Sequence, residues 1–424
     1  MQRIDTPEER PRITVFLSAG DPSGDLHGAN LARALMARGP VDCVGFGGPR
    51  MAQAGCRLHA DLTALAVMWI ARALLNLHRF LLLLWQADRC FRNQRPDAVV
   101  LIDFPGFNWW VARRAKAHGI PVYYYAPPQL WGWGGWRVKK MRRYVDRVLC
   151  ALPFEQKWFA DRQCTATYVG HPYFDEVRRH KLDAEFVADL RRQPGPLVTI
   201  LPGSRTQEVA HNLGMLLNAA ELIRQAVPGV RFAIAGYKPS QAGQIRRALD
   251  ERNLALPVYV GATPELIHAA DCCLAVSGSV SLELLYHTRP TVVVYAISRL
   301  MFFLQHYIRK VKYITLVNLL TSDDIFTDTT LYDRNQAGAE KVLFPEYLTH
   351  ADKSAEIAAH AIEWLTDEPL RQRRVAELAA WKTRLCQGGA SETAAALILA
   401  ELNAAPADLP ANRRPASVSA RSRR

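Results

Sequence analysis

Five short segments carry residue types that could do chemistry. The first is Ser18-Ala19-Gly20-Asp21-Pro22-Ser23-Gly24-Asp25, which runs into a helical pattern. Small residues let backbone amides approach an anion at a helix start, and the same string also reads as a tight turn capped by Ser23 or Asp25. The second is Asp103-Phe104-Pro105-Gly106-Phe107-Asn108, after the apolar run Val99–Ile102. A carboxylate at a strand end is placed either as a general base or as a cap for the next helix. The third, Trp131-Gly132-Trp133-Gly134-Gly135-Trp136, precedes Arg137, Lys139, Lys140, Arg142 and Arg143. Aromatic rings beside cations can stack on a sugar, a base or a lipid headgroup, or close a domain edge.

The fourth segment is Pro202-Gly203-Ser204-Arg205-Thr206-Gln207-Glu208. Its glycine and serine allow a close turn, and Arg205 offers a planar fork for phosphate oxygens. Glu208 falls in a first helical turn, where negative charge is favoured. The fifth is Ser277-Gly278-Ser279 followed by Glu283. Hydroxyls and amides there suit a diphosphate, and Glu283 is spaced to accept from ribose hydroxyls; a plain serine-capped helix is the other reading. No Cys-x-x-Cys pair or Cys/His spacing points to a metal.

These loops need strands and helices to hold them. Strands are expected at Ile13–Ala19, Val41–Phe46, Ala98–Ile102, Val122–Tyr125, Arg147–Ala151 and Thr167–Val169, with a helix over Leu26–Arg38. The same grammar restarts with strands at Leu197–Leu201, Arg231–Ala235, Val258–Val260, Cys272–Val276 and Thr291–Tyr295, and a helix over Glu208–Val227. Alternating strands and helices imply parallel sheets covered on both faces. Helices are expected at 355–364, 370–385 and 390–402.

Composition narrows the class. The 424 residues fit two domains, with 49% hydrophobic and 22% charged residues and a formal net charge of +13. A basic balance favours anionic partners; no nucleic-acid module accompanies it. The eight cysteines sit mostly in apolar segments, as buried free thiols would. The first twelve residues lack the apolar core of a signal peptide. Two basic amphipathic stretches suit a membrane surface or a core helix: 67–84, with Trp69, Arg72 and Arg79, and 300–312, with Phe302, Phe303, Arg309 and Lys310.

The segments in order resemble the bacterial lipid-A-disaccharide synthase family. The anchors are Pro22-Ser23-Gly24-Asp25, Gly48-Pro49-Arg50-Met51, Leu65-Ala66-Val67-Met68, Ile102-Asp103-Phe104-Pro105, Leu152-Pro153-Phe154-Glu155, Gly170-His171-Pro172, Leu201-Pro202-Gly203-Ser204-Arg205, Ser277-Gly278-Ser279 with Glu283, and Asn318-Leu319-Leu320. The resemblance runs to about Leu402. It departs from the family pattern mostly in the first half, for example at Asp21, Gly106 and 127–133.

The resemblance implies an α/β chain of the GT-B fold: two Rossmann-like doubly wound domains facing a central cleft, with C-terminal helices packing back. The expected division is an acceptor and membrane domain at 13–170, a UDP-sugar domain at 171–345, helices crossing back or swapping at 346–402, and a disordered basic tail at 403–424. It implies an inverting hexosyltransferase without metal or other cofactor. The transfer is of 2,3-diacylglucosamine from its UDP form to 2,3-diacylglucosamine 1-phosphate (lipid X). Asp103 then matches the base, and Arg205 the residue that neutralises departing UDP. Ser204, Glu208, Ser277, Gly278, Ser279 and Glu283 fall on the donor side; Ser23, Gly24, Asp25, Asn108, Trp131 and Trp133 fall on the acceptor loops. The implied partners are the UDP-sugar, an acylated glucosamine phosphate and a membrane surface, with no nucleic acid; some members form homodimers. The implied location is cytoplasmic, peripheral on the inner membrane. Another UDP-sugar enzyme of this architecture, such as a UDP-N-acetylglucosamine 2-epimerase, or a non-catalytic relative, is the alternative.

Overall fold

Parallel strands buried on both faces read as unbroken apolar runs, and the chain supplies two sets of them. The structure, a computed structural model, describes residues 12–64 and 77–404. In the first sheet the strands are β1 (Ile13–Ala19), β2 (Val41–Gly47), β3 (Arg57–Asp61), β4 (Ala98–Ile102), β5 (Val122–Tyr125), β6 (Arg147–Cys150) and β7 (Ala166–Tyr168). Their order is β3-β2-β1-β4-β5-β6-β7, all parallel. The second sheet contains β8 (Leu197–Leu201), β9 (Arg231–Gly236), β10 (Val258–Val260), β11 (Cys272–Val276), β12 (Thr291–Ala296) and β13 (Glu346–Thr349). Its order is β10-β9-β8-β11-β12-β13, again all parallel.

The expected central strands form where the apolar runs stand; every residue of β4, β8 and β11 is buried. Sequence reading missed β3 and β13. The first is an edge strand whose residues alternate between exposed and half-buried, Arg57 to Asp61. The second is four residues, Glu-Tyr-Leu-Thr, opening on a carboxylate. Neither offers an apolar run to detect.

Two compact units follow. Among the described residues the first takes 12–64, 77–130, 135–175 and 389–404, and the second 131–134 and 176–388. The division differs from the expected one at the C-terminus. The helices Ser354–Thr366 and Glu368–Leu385 belong to the second unit, and only Ala390–Asn403 returns to the first. That last helix buries Ala394, Ala395, Ile398 and Leu399 in the same core as Leu31, Ala32 and Leu35 of the helix Pro22–Met36. Its first turn is held by Asp175, whose carboxylate accepts from the amides of Gly389 (2.7 Å), Ala390 (3.2 Å) and Ser391 (3.0 Å) and from Ser391 Oγ (2.8 Å). Four donors on one buried carboxylate satisfy amides that a helix start otherwise leaves unpaired. At the other end, Glu401 accepts from Tyr123 Oη and pairs with Arg147.

All eight cysteines are free and buried. Among the described residues, no helix is long and apolar enough to cross a membrane.

Candidate active site

In an open parallel sheet the ligand crevice lies beyond the carboxyl ends of the strands where the order reverses. In the first unit that point is between β1 and β4, which pair from Val15↔Ala98 to Ala19↔Ile102. The segment Gly20–Asp25 leaves β1 there and Asp103 leaves β4 beside it.

Asp103 and Phe104 both adopt left-handed backbone, at φ 46° and 44°. Residues with side chains seldom do so, and such strain persists only where the surroundings enforce it. The enforcing contacts are specific. The carbonyl of Asp103 accepts from Tyr124 Oη at 2.7 Å and from Asn108 Nδ2 at 2.8 Å. Asn108 is fully buried; its Nδ2 also reaches the carbonyls of Ser18 (3.2 Å) and Ile102 (3.3 Å), and its Oδ1 accepts from Ser18 Oγ (2.7 Å). Burial pushes the Tyr124 phenol well above its ordinary pKa; the negative charge of Asp103 adds to the shift and Arg137 opposes it. Tyr124 therefore stays a neutral donor to the strained turn.

The loop after β1 is fitted to the same turn. A Cβ built on Gly20 would stand 2.2 Å from Cδ1 of Phe104. Gly20→Ala should thus push the Phe104 ring and the Asp103 turn aside. Misplacement of about 1 Å can cost 10²-fold in rate, so turnover is expected to fall at least about tenfold in a folded protein. Steady-state kinetics with a thermal melt on the same sample checks this, and unchanged turnover would show that the ring adjusts freely.

The other acceptor-side candidates divide between surface and interior. Ser23 is exposed and its Oγ donates to Asp21 at 3.0 Å; the buried amide of Gly24 donates to Asp21 at 2.6 Å. Asp25 turns inward, accepting from the amides of Gly48 (2.7 Å), Arg50 (3.0 Å) and Met51 (3.0 Å). It holds the loop after β2 in place and explains why the anchor Gly48-Pro49-Arg50-Met51 accompanies it. Asn108 likewise positions Asp103. Trp131 is 3% exposed, whereas Trp133 is 56% exposed. Of the two, Trp133 offers a ring to a ligand.

In the second unit the order reverses between β8 and β11, paired from Cys272↔Val198 to Ala275↔Leu201. The loop after β8 turns at Gly203 (φ 117°), where a Cβ would meet Glu208 Cβ at 2.7 Å. Glu208 caps the helix Thr206–Ala226: one carboxylate oxygen accepts from the amides of Ser204 and Arg205, both at 3.1 Å, and the other from Arg205 Nη1 at 2.8 Å. The Arg205 side chain is 76% exposed and that of Glu208 12%. Glu208 therefore holds the loop and orients the guanidinium.

The loop after β11 presents Gly278 and Ser279 to solvent, while Ser277 Oγ donates to the carbonyl of Ile314 at 3.0 Å. Ser281 Oγ donates to the carbonyl of Gly278 at 2.9 Å. Glu283 is 7% exposed and lines a cavity of about 260 Å3 with His180, Pro264, His268, His287 and Lys382. Burial lowers the His287 pKa to about 3, with His268 and Arg289 contributing. The cavity wall is thus neutral at that point. A shallower cavity of about 510 Å3, under the helix Ala184–Arg192, contains none of the motif residues.

Sequence reading missed two residues that brace these loops. Asn212 is 1% exposed; its Nδ2 donates to the carbonyl of Glu208 (2.8 Å) and its Oδ1 accepts from Ala296 N (2.7 Å). Gln241 Nε2 donates to the carbonyl of Ser204 at 3.0 Å. Asn212 lies on the buried face of its helix with Val209, Leu213 and Leu216. A polar residue inside an apolar stripe was the available signal.

The family model described as Lipid-A-disaccharide synthetase matches residues 15–380. The chain belongs to the lipid-A-disaccharide synthase family. It is therefore similar to glycosyltransferases that carry that name across distant bacteria. It is 34% identical over 321 residues to the lipid-A-disaccharide synthase of Trichlorobacter lovleyi, covering 74% of this chain and 83% of the relative. With that of Myxococcus xanthus it shares 31% over 393 residues, 92% and 97% of the two chains.

Solved structures agree on the fold. The S. aureus MnaA–UDP co-structure superposes with a TM-score of 0.60 at 11% identity, covering 93% of this chain and 97% of that one. The glycotransferase of kitacinnamycin gives 0.58 at 16% identity, covering 93% and 100%. At such identities the likeness establishes architecture, and the architecture is GT-B. A lipid-A-disaccharide synthase family chain is a hexosyltransferase, so the two switch-point loops are where its substrates are to be sought.

Proposed function

We propose that this chain transfers 2,3-diacylglucosamine from its UDP form to 2,3-diacylglucosamine 1-phosphate, giving lipid A disaccharide 1-phosphate and UDP. The observation that carries the assignment of roles is the position of Asp103 and Arg205 at the two switch points in a chain of this family. Asp103 accepts the proton of the acceptor's 6-hydroxyl as that oxygen attacks the anomeric carbon. The bond to UDP breaks on the opposite face, so an α-linked donor gives a β-linked product. Arg205, Ser204 and the turn Ser277–Ser279 receive the diphosphate charge as it develops, and Glu283 accepts from the ribose. Ser23 and Trp133 are the surface groups proposed for the acceptor, with Gly24 buried in the turn behind Ser23. S. aureus MnaA is seen with UDP, and Anabaena Alr3699/HepE in complex with UDP and glucose. Binding of UDP on this architecture supports the donor assignment.

A donor and an acceptor that carry acyl chains require contact with a lipid surface, and the reading places the enzyme peripherally on the cytoplasmic face of the inner membrane. The helix Arg299–Ile308 supports this. Leu300, Phe303, Leu304, Tyr307 and Ile308 lie on one face at helical spacing and are 69%, 63%, 38%, 64% and 49% exposed. Lys310 follows, also exposed. Two of the expected membrane residues point elsewhere. Phe302 lies against the ring of His350 at 4.6 Å, and Arg309 donates to the carbonyls of Val311 (2.7 Å), Lys312 (2.6 Å) and Thr329. They fasten the helix to its unit. In the first unit Leu81, Leu82 and Trp85 are exposed beside Arg79; Trp69 and Arg72 lie outside the described residues. Replacing Phe303 and Tyr307 together by Ser should reduce co-sedimentation with anionic vesicles at least about fivefold, since basic apolar surfaces bind by both terms. Sedimentation equal to wild type would remove this helix from the membrane surface.

The reaction itself is tested by incubating the protein with UDP-2,3-diacylglucosamine and lipid X and following UDP and disaccharide by mass. Both products are expected. UDP release without disaccharide would redirect the search to another acceptor, and no turnover in a vesicle-bound, folded sample would favour a binding protein.

A further inference from the structure

Behind the exposed turn Ser277–Ser279 stands a buried carboxylate that motif reading did not reach. Glu346 opens β13 and is 4% exposed. One oxygen accepts from the amide of Ile314 at 2.6 Å. The other accepts from Thr315 N (3.1 Å), Thr315 Oγ1 (2.7 Å) and Asn318 Nδ2 (2.9 Å). Asn318 is itself locked to Phe344, donating to its carbonyl at 2.7 Å and accepting from its amide at 3.1 Å. The segment 314–318 is thus fastened to the start of β13 by one carboxylate and one amide side chain. The free end of that fastening is the carbonyl of Ile314, and it accepts from Ser277 Oγ at 3.0 Å.

We infer that Glu346 is a positioning residue for the nucleotide-holding turn: through Ile314 it fixes Ser277, and through Ser277 the exposed amides of Gly278 and Ser279. The inference rests on the donor reading above. Its physical basis is the direction of the hydrogen bonds. Four donors converge on Glu346, so the carboxylate must be an acceptor at both oxygens for the segment to hold its shape. The peptide unit of Ile314 and Thr315 is gripped through its amide on one side, leaving its neighbouring carbonyl aimed at Ser277. A turn that binds a diphosphate through amides depends on where those amides stand before the ligand arrives.

Burying a carboxylate here is costly. Burial raises its pKa to about 7 against the pull of Thr315, Ile314 and Asn318. Arg309 and Tyr313 also feel its charge. A carboxylate accepts from all four donors at once, whereas an amide would set an N–H against them and an apolar side chain would leave them unsatisfied.

The experiment measures UDP binding by calorimetry on the full chain, with a thermal melt of every sample. Glu346→Gln places an N–H among four donors and should weaken UDP at least about tenfold. Michaelis constants give a second readout: that of the UDP-sugar should rise with the UDP dissociation constant while that of the acceptor stays within about twofold. Ser277→Ala cuts the link, so the double variant should bind UDP no more weakly than the worse single variant, because both changes break one chain of contacts. UDP affinity within twofold of wild type would overturn the inference. So would additive losses in the double variant, or a loss that only tracks a falling melting temperature. If Glu346→Gln does not fold, Thr315→Val removes one donor and leaves the carboxylate buried. A threefold weakening is then expected, about 0.65 kcal/mol at RT near 0.59 kcal/mol, and no change overturns the idea. A wild-type chain that binds no UDP would overturn the donor reading itself and the inference with it.

Discussion

Asp103→Asn should lower kcat by about 10²–10⁴-fold, the usual contribution of a positioned general base, while UDP affinity stays within threefold. Asparagine is the informative replacement. It matches aspartate in size and removes only the charge and the basicity. It also tolerates the left-handed backbone that Asp103 adopts at φ 46° better than most residues do. The bonds that impose this backbone, from Tyr124 Oη and Asn108 Nδ2, end on the carbonyl of Asp103. They survive the change of side chain. Alanine would add strain to the loss of charge and confuse the two effects. Initial rates over both substrates, with UDP calorimetry as the control for donor binding, separate the outcomes. A kcat within threefold of wild type would remove Asp103 from proton transfer and leave it as part of the turn. A fall in kcat with an equal loss of UDP affinity would mean that the change had spread beyond the first unit's loops.

The positions of both switch-point loops could be read from sequence because each follows an apolar run that must be buried on two faces. Val99–Ile102 ahead of Asp103 and Val198–Leu201 ahead of Pro202 are such runs. Sequence also places Glu208 in a first helical turn, and its capping of Ser204 and Arg205 is a local event, three or four residues in reach. What sequence could not supply is the direction of a polar side chain whose partner is distant. Asn108 reaches back 90 residues to Ser18, and Glu346 reaches 31 to Thr315. In the string Val122–Tyr125 nothing marks Tyr124 as the residue that holds the strained carbonyl.

Amphipathic helices posed a problem of phase. The sequence sets Phe302 beside Phe303 as a membrane residue, but 300, 303, 304 and 307 share the exposed face of the helix and Phe302 turns to the other side, against His350. Arg309 leaves that face because the helix ends at Ile308, and the extended backbone after it turns the guanidinium onto carbonyls.

Arg205→Ala should lower kcat by about 10²–10³-fold, as loss of one group that stabilises a departing anion commonly does. Arg205→Lys should recover part of this but not all. The structure explains why arginine can do this work. Its tie to Glu208 at 2.8 Å is largely exposed on the Arg205 side, and exposed pairs of that kind contribute roughly 0–1 kcal/mol. A guanidinium held so loosely can turn from one carboxylate to two phosphate oxygens at little cost, and its planar fork meets both at once. Lysine keeps the charge without the fork. The two variants therefore separate charge from shape. Lysine at wild-type rate would assign Arg205 a charge role only. Lysine no better than alanine would make the fork decisive. Ionic strength gives an independent check: the donor KM should rise with salt in the wild type and less steeply in Arg205→Ala, because a screened attraction has been removed. If Arg205→Ala keeps kcat within threefold and the salt slope is unchanged, the departing diphosphate is held by the exposed amides of Gly278 and Ser279 instead. Measuring UDP release in a single turnover decides between these cases, since the leaving-group step is the one this residue is placed to accelerate.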